Sequence, residues 1–249
     1  MLALGVDERA WSEAIGTGDR ARRDSRPPEQ RVMRGMTKVS VALALLALVG
    51  CATGLPTRSG PDRGGIGISV QVRPPNGLAI FTRASQRVYF VRVDGEKGLF
   101  AQDQFILSNY SAEGWVYLLD APPGRYAAVA SVFSRLRKDY VTIFSKQLIE
   151  ATAVTVSPGA MAFMGEYLLN ASYGFDDADA AQRHYLKVIW PSAFTVTVPT
   201  AVTFYLGSAL EAKRDQETEI RFLSAAAGHL QGTEWNGLLD RLTGDLKGR

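Results

Sequence analysis

Cys51 is the only cysteine of the chain, and it follows an apolar run, Val39 to Val49, from which Gly50 separates it. A lone thiol closes no intramolecular disulfide, so a cysteine at the exit of a hydrophobic segment points to covalent modification of its sulfur. The alternative is a buried cysteine closing a core helix, since free cysteine is among the most buried residue types. The strict order of basic residue, apolar run, small residue and cysteine favours the modified thiol.

The other candidates for chemistry are sparse. His184 and His229 are the only imidazoles, and neither forms an H-E-x-x-H pair or a zinc-finger spacing. Both read as ordinary surface or half-buried residues. Asp176, Asp177 and Asp179 invite a calcium reading, but an EF-hand loop from Asp177 would need an acidic or amide side chain at Ala181, glycine at Gln182 and glutamate at Val188. They read instead as an acidic helix start. No G-x-S-x-G elbow is present, and Gly64, Gly65 and Gly67 precede a strand where a phosphate loop would follow one. Asp120, Glu150 and Glu166 are too widely spaced in sequence to be placed as a glycosidase pair, and Glu166 reads as an outward-facing strand residue. Among Tyr110, Trp115, Tyr117 and Tyr126, Trp115 and Tyr117 are the candidate platform for stacking a sugar or peptide, with core duty as the competing role. The sequence therefore predicts no catalytic residue, no metal ligand and no cofactor.

The segment that positions Cys51 has the three parts of a secretory signal. Arg31, Arg34 and Lys38 make a basic region, Val39 to Val49 an apolar one interrupted only by Ser40, and small residues close it. The apolar run is well short of the roughly 20 residues a spanning helix needs. Leu48-Val49-Gly50-Cys51 resembles the lipobox of bacterial lipoprotein precursors. That resemblance, confined to about residues 33–51, implies a diacylglyceryl thioether on Cys51, cleavage between Gly50 and Cys51, and acylation of the new amine, as with palmitate. It places the protein in the bacterial cell envelope, anchored in a membrane by lipid on Cys51. Ala52 stands where an inner-membrane retention aspartate would be, which points to the outer membrane facing the periplasm. Residues 33–50 are then the signal peptide. Residues 1–32, polar and without a sustained apolar period, are expected to be disordered or to precede the true start, at Met33 or Met36.

Charge adds an exclusion. The chain carries a net +3, but residues 1–50 hold 8 Lys and Arg against 6 Asp and Glu, and residues 51–249 hold 20 against 19. A nearly neutral mature chain gives no support to nucleic-acid binding. Arg135-Leu136-Arg137-Lys138 reads as a solvated hairpin turn in preference to a binding patch.

Residues 51–65, rich in Gly and Pro, are expected to be a flexible tether with a span of about 20 Å. Residues 66–206 read as a β-sandwich domain, with candidate strands Ile66 to Arg73, Leu78 to Thr82, Arg87 to Val93, Gln104 to Ser108, Trp115 to Leu119, Tyr126 to Phe133, Tyr140 to Leu148, Ala151 to Val156 and Ala162 to Leu169. Pro-Gly turns at Pro122-Pro123-Gly124 and Pro158-Gly159 separate strands. A short helical insertion is expected near 176–187, with strand-like alternation returning over His184 to Trp190, Phe194 to Val198 and Val202 to Leu206. Residues 207–249 read as a helical hairpin: Ile220, Leu223, Ala227 and Leu230 form one stripe, Trp235, Leu238, Leu239, Leu242 and Leu246 another, with Gly232 between them and Thr233 as cap.

The phrase Tyr117 to Val129, with its leucines, Pro-Gly turn and Tyr126, resembles the same unit in prealbumin-like β-sandwiches, including small uncharacterised bacterial lipoproteins of that fold. It implies an architecture and carries no catalytic residues. The expected protein is thus mainly β, a prealbumin-like β-sandwich with a C-terminal α-helical hairpin. Its expected role is that of a structural or interaction module, with other envelope proteins or peptidoglycan as partners. A glycan- or peptide-binding module is the alternative, and a hydrolase using Glu166 or His184 the third reading.

Overall fold

A computed structural model describes residues 55–75, 81–95, 98, 105–193 and 201–248. Cys51, Gly50 and residues 1–54 as a whole lie outside the described residues, as do Leu78 to Ile80 and Phe194 to Val198. The described chain is mainly β with helices at its C-terminal end. Its strands are β1 (Gly64–Arg73), β2 (Arg83–Ala84), β3 (Arg87–Arg92), β4 (Ile106–Leu107), β5 (Tyr110–Ala112), β6 (Trp115–Ala121), β7 (Gly124–Arg135), β8 (Lys138–Phe144), β9 (Val154–Val156), β10 (Met161–Ser172) and β11 (Ala201–Lys213). The helices are α1 (Lys146–Thr152), α2 (Ala180–Ala193), α3 (Gln216–His229) and α4 (Asn236–Lys247).

The described strands form one hydrogen-bonded path, β4-β3-β7-β8-β11-β10-β1-β6-β5, with β2 on β1 and β9 on β7. One half of the path, β4 to β8, meets the other through the parallel pairing of β8 with β11, from Lys138 opposite Ala201 to Phe144 opposite Gly207. The sheet curls, so that both halves bury side chains in one core. Ile66, Ile68, Val70 and Val72 of β1 are fully buried there with Val88 and Phe90 of β3 and Leu169 of β10. The period-2 alternation of β1 leaves Gly65, Gly67, Ser69 and Gln71 on its other face.

α1 and α2 belong to that inner core through Leu148, Ile149, Tyr185 and Ile189. Asp179 and Gln182 cap α2 reciprocally: the Gln182 N–H donates to Asp179 Oδ1 at 2.8 Å and the Asp179 N–H to Gln182 Oε1 at 3.1 Å. The second oxygen of Asp179 accepts the Lys146 N–H at 2.7 Å, which ties the start of α1 to the start of α2.

The outer face of β6, β1 and β10 carries a second core. Trp115, Tyr117, Leu119, Met161 and Phe163 meet Phe222, Leu223, Ala226 and Leu230 from α3, and Trp235, Leu238 and Leu239 at the start of α4. Gly67 makes this contact possible, because a Cβ built there would overlap the Phe222 ring.

Several boundaries differ from the sequence expectation. Tyr140 to Leu148 is not one strand: β8 stops at Phe144, and Ser145 Oγ accepts the Leu148 N–H at 3.3 Å as the cap of α1. The Ala151 to Val156 strand is shortened to β9 for the same reason. His184 to Trp190 is helical, because Ala181, Tyr185 and Ile189 recur every four residues on the buried side and the Asp179 cap starts a helix. The helical insertion expected near 176–187 accordingly runs from Ala180 to Ala193. The helical hairpin begins at Gln216 and not at 207, since β11 continues to Lys213 beside β10. The tether expected over 51–65 is docked from Leu55 onward: the Trp235 indole N–H donates to the Pro56 carbonyl at 2.9 Å, Arg58 lies over the Trp235 ring, the Ser59 N–H and hydroxyl reach Asp120 Oδ1 at 2.7 and 3.0 Å, and Gly64 and Gly65 already belong to β1.

Candidate functional site

At the end of the curled sheet where β7 turns into β8, a cavity of about 290 Å³ opens between the two halves. The β7–β8 connection is a two-residue turn in which Leu136 and Arg137 hold φ of 49° and 59°, the left-handed geometry that a tight hairpin demands. This places Arg135 and Lys138, a residue pair in register across β7 and β8, at the cavity wall. Arg83 of β2 supplies a third cation from the far side of β1.

Aromatic side chains from four consecutive parts of the sheet path make the rest of the wall. Phe133 and Tyr140 are cross-strand neighbours whose rings stack at 4.7 Å with planes 8° apart. Tyr205 of β11 continues the ladder at 6.0 Å from Tyr140, and Tyr173, just past β10, meets Tyr205 edge-on at 5.1 Å. Such ladders follow from the sheet itself, which brings same-face residues of neighbouring strands within ring contact. Phe81 and Tyr173 are each about half exposed, at 51 % and 48 %. They present apolar surface at the mouth.

The electrostatics of this cavity are one-sided. Its described lining contains Arg83, Arg135 and Lys138 and no carboxylate. The nearest acid in sequence, Asp139, is turned to other partners: it accepts from Arg87 at 2.7 Å and from the Ser134 hydroxyl at 2.6 Å. Among the described residues none of the three lining cations forms an ion pair. Lys138 Nζ lies 5.4 Å over the Tyr140 ring, a contact that leaves its charge unneutralised. Burial, reinforced by the Tyr173 hydroxyl 3.5 Å away, holds the Tyr205 phenol above its ordinary pKa, so it remains a hydrogen-bond donor at neutral pH.

The residues singled out from sequence have other surroundings. Trp115 and Tyr117 are 8 % and 0 % exposed. Phe222 lies 5.3 Å from the Trp115 ring and stacks on Tyr117 at 6.0 Å, and Phe163 takes a further side of Trp115. Neither ring is presented to a ligand, which corrects their assignment as a stacking pair: α3 covers them because its apolar stripe needs the aromatic face of β6. Glu166 receives the Arg221 guanidinium at 2.9, 3.0 and 3.2 Å. A cleft of about 230 Å³ beside it gathers Ser69, Gln71, Glu211 and Lys213, but Ser69 donates to the Gly114 carbonyl at 3.1 Å and no imidazole lines the cleft. An activated nucleophile is therefore missing from this lining.

His184 and His229 fall on different helices, α2 and α3. His229 meets the Tyr117 hydroxyl and Glu113, a linkage within the second core. Burial, with Lys187 adding repulsion, holds the His184 imidazole below its ordinary pKa. Among the described residues no group of three or more His, Cys, Asp and Glu side chains is arranged to hold a metal ion. No described helix is long and apolar enough to cross a membrane.

Sequence reasoning missed the cavity because its residues come from positions 83, 133–140, 173 and 205, which only the strand order brings together. The basic run at Arg135 was the available signal. Reading it as a hairpin turn was right for Leu136 and Arg137, and incomplete for Arg135 and Lys138. No family model, curated protein or solved structure matches the chain.

Proposed function

We propose that the protein is a lipid-anchored lipoprotein of the bacterial cell envelope that acts as a structural or interaction module. The observation that carries this reading is the order of residues from Arg34 to Cys51, basic, apolar, small and then the single cysteine, immediately ahead of a folded domain that begins to dock at Leu55. On this reading Gly50 and Cys51 flank the cleavage site and Cys51 bears the lipid. Three residues separate Cys51 from Leu55, so the covalent link spans at most about 14 Å. The domain would ride close to the lipid surface instead of standing off on a long tether.

In the same reading the curled sheet is a variant of the prealbumin-like β-sandwich. Two features support it. β6 and β7, joined by the Pro-Gly turn, pair with different neighbours and so fall in different halves of the path. The Tyr126 hydroxyl donates to the Pro122 carbonyl at 2.8 Å, a tyrosine returning to the backbone just upstream, as at the corners of other β-sandwiches. The outer membrane facing the periplasm is the proposed location, with envelope proteins or peptidoglycan as neighbours.

Replacement of Cys51 by Ala tests the anchor. The variant is expected in the soluble fraction and without added lipid mass. Unchanged membrane retention together with an unchanged mass would overturn the proposal.

A further inference from the structure

We infer that the cavity between the two halves of the sheet is a binding site for a phosphate monoester carried on an apolar or aromatic body. This inference does not depend on how the chain is anchored. The cavity volume of about 290 Å³ is near the lower end for small-molecule sites, roughly 300 Å³, and suits a single ring or headgroup.

Charge selects the anion. Among the described residues Arg83, Arg135 and Lys138 line the cavity with no carboxylate beside them, and Asp139 is held by Arg87 and Ser134. A monocarboxylate would leave about two positive charges uncompensated, whereas a phosphate monoester brings a charge of about −2 and three acceptor oxygens. Guanidinium groups match those oxygens in a fork, and the lysine adds a mobile point charge. Tyr140, Tyr173 and Tyr205 line the same wall and carry hydroxyls able to hydrogen-bond an anion. The apolar wall selects the body of the ligand: Phe81 and Tyr173 expose surface that an attached ring or acyl carbon would cover.

The site lies at the far end of β1 from the point where the docked N-terminal segment joins the sheet. Gly64 begins β1, and Pro74, just past Arg73, lines the cavity. Ten residues of strand separate the two points by about 30 Å.

Calorimetric titration of the full chain with phenyl phosphate, inorganic phosphate and phenol tests the inference. Phenyl phosphate is expected to saturate a single site about tenfold more tightly than inorganic phosphate, and phenol to bind too weakly to measure. Arg135→Gln, at an exposed position, and Lys138→Gln, at a half-buried one, are each expected to weaken phenyl phosphate about tenfold, the first with unchanged thermal unfolding, and Arg135→Lys to recover part of the loss. Co-sedimentation with phosphatidylcholine vesicles, with and without phosphatidic acid, separates the two sources of the same group. Added binding to phosphatidic acid that the variants abolish identifies a lipid headgroup, and saturable phenyl phosphate binding without it identifies a soluble ester. The inference is overturned if phenyl phosphate shows no saturation at ~10 mM, if inorganic phosphate binds as tightly, or if both glutamine variants bind like the parent chain.

Discussion

The phenol of Tyr117 lies 3.0 Å from Nδ1 of His229, and Nε2 of the same ring lies 3.3 Å from Glu113. Burial keeps the Tyr117 phenol well above its ordinary pKa, so its neutral hydroxyl pairs with Nδ1 while Nε2 faces the carboxylate. Tyr110 adds a bond from its hydroxyl to the His229 carbonyl at 3.2 Å. Three residues of the β5–β6 hairpin thus hold the last residue of α3.

Tyr117→Phe keeps the ring stack on Phe222 and removes only this hydroxyl. It leaves a ring nitrogen of a side chain 12 % exposed without its partner, and the expected cost is about 1–3 kcal/mol. Urea unfolding measures the loss, and amide exchange should quicken first at the end of α3. A variant as stable as the parent would show that the linkage contributes nothing.

Gly67 and Phe222 are expected to behave as one unit. Gly67→Ala drives a methyl group into the Phe222 ring, an overpacking that costs roughly 1–3 kcal/mol. Phe222→Ala removes a fully buried ring stacked on Phe163 at 5.0 Å, at about 3–5 kcal/mol. The double variant should be less destabilised than the two losses added, because the methyl group then occupies vacated space. Strict additivity in equilibrium unfolding would contradict the contact.

Asp215 caps α3, accepting the Thr218 N–H at 2.8 Å and the Thr218 hydroxyl at 2.6 Å. The hydroxyl bond first and the backbone bond second hold its carboxyl below the usual range. A depressed carboxylate pKa stabilises the fold above the unfolded value, about 3.9, and that contribution is lost as pH falls through the folded value. Asp215→Ala should therefore lower Tm by ~2–4 °C at neutral pH and by progressively less below about pH 3.9. Melting curves at the two extremes decide it, and an equal deficit at both would count against the cap.

Alkaline pH should weaken the fold for the converse reason. Burial raises the phenols of Tyr117, Tyr167 and Tyr185 in the folded state. Above about pH 10 the unfolded chain ionises these groups first, so it binds fewer protons than the folded chain and stability falls with rising pH. Phenolate absorbance is expected to rise together with loss of β-sheet circular dichroism. Full phenolate formation in a still-folded protein would refute this.

Much of the architecture was legible because period and punctuation are local signals. β1, β3 and β7 lie where β-branched and aromatic residues alternate between Gly, Pro and Asn, and Trp235, Leu238 and Leu239 at helical spacing are buried. The misreadings were also local in origin. Over His184 to Trp190 an alternating pattern competed with a four-residue one, and only the packing of Tyr185 and Ile189 into the inner core chose the helix. At Ser145 a cap broke an apolar run that a fully buried strand would equally have shown.

By itself the sequence determined the single cysteine behind a short apolar run, the nearly neutral chain that follows it, the β texture and the amphipathic helical tail. Each of these depends on neighbours along the chain or on composition alone. Tertiary structure decided what strand order and burial control: one curled path of strands, the burial of Trp115 and Tyr117 under α3, and the docking of the segment from Leu55. It also decided the meeting of Arg83, Arg135 and Lys138 around a wall of tyrosines. Arg83, the β7–β8 hairpin and Tyr205 are distant in sequence, and the parallel pairing of β8 with β11 brings Tyr140 beside Tyr205. A pairing of that kind is set by the packing of the whole core, and no local pattern in the chain encodes it.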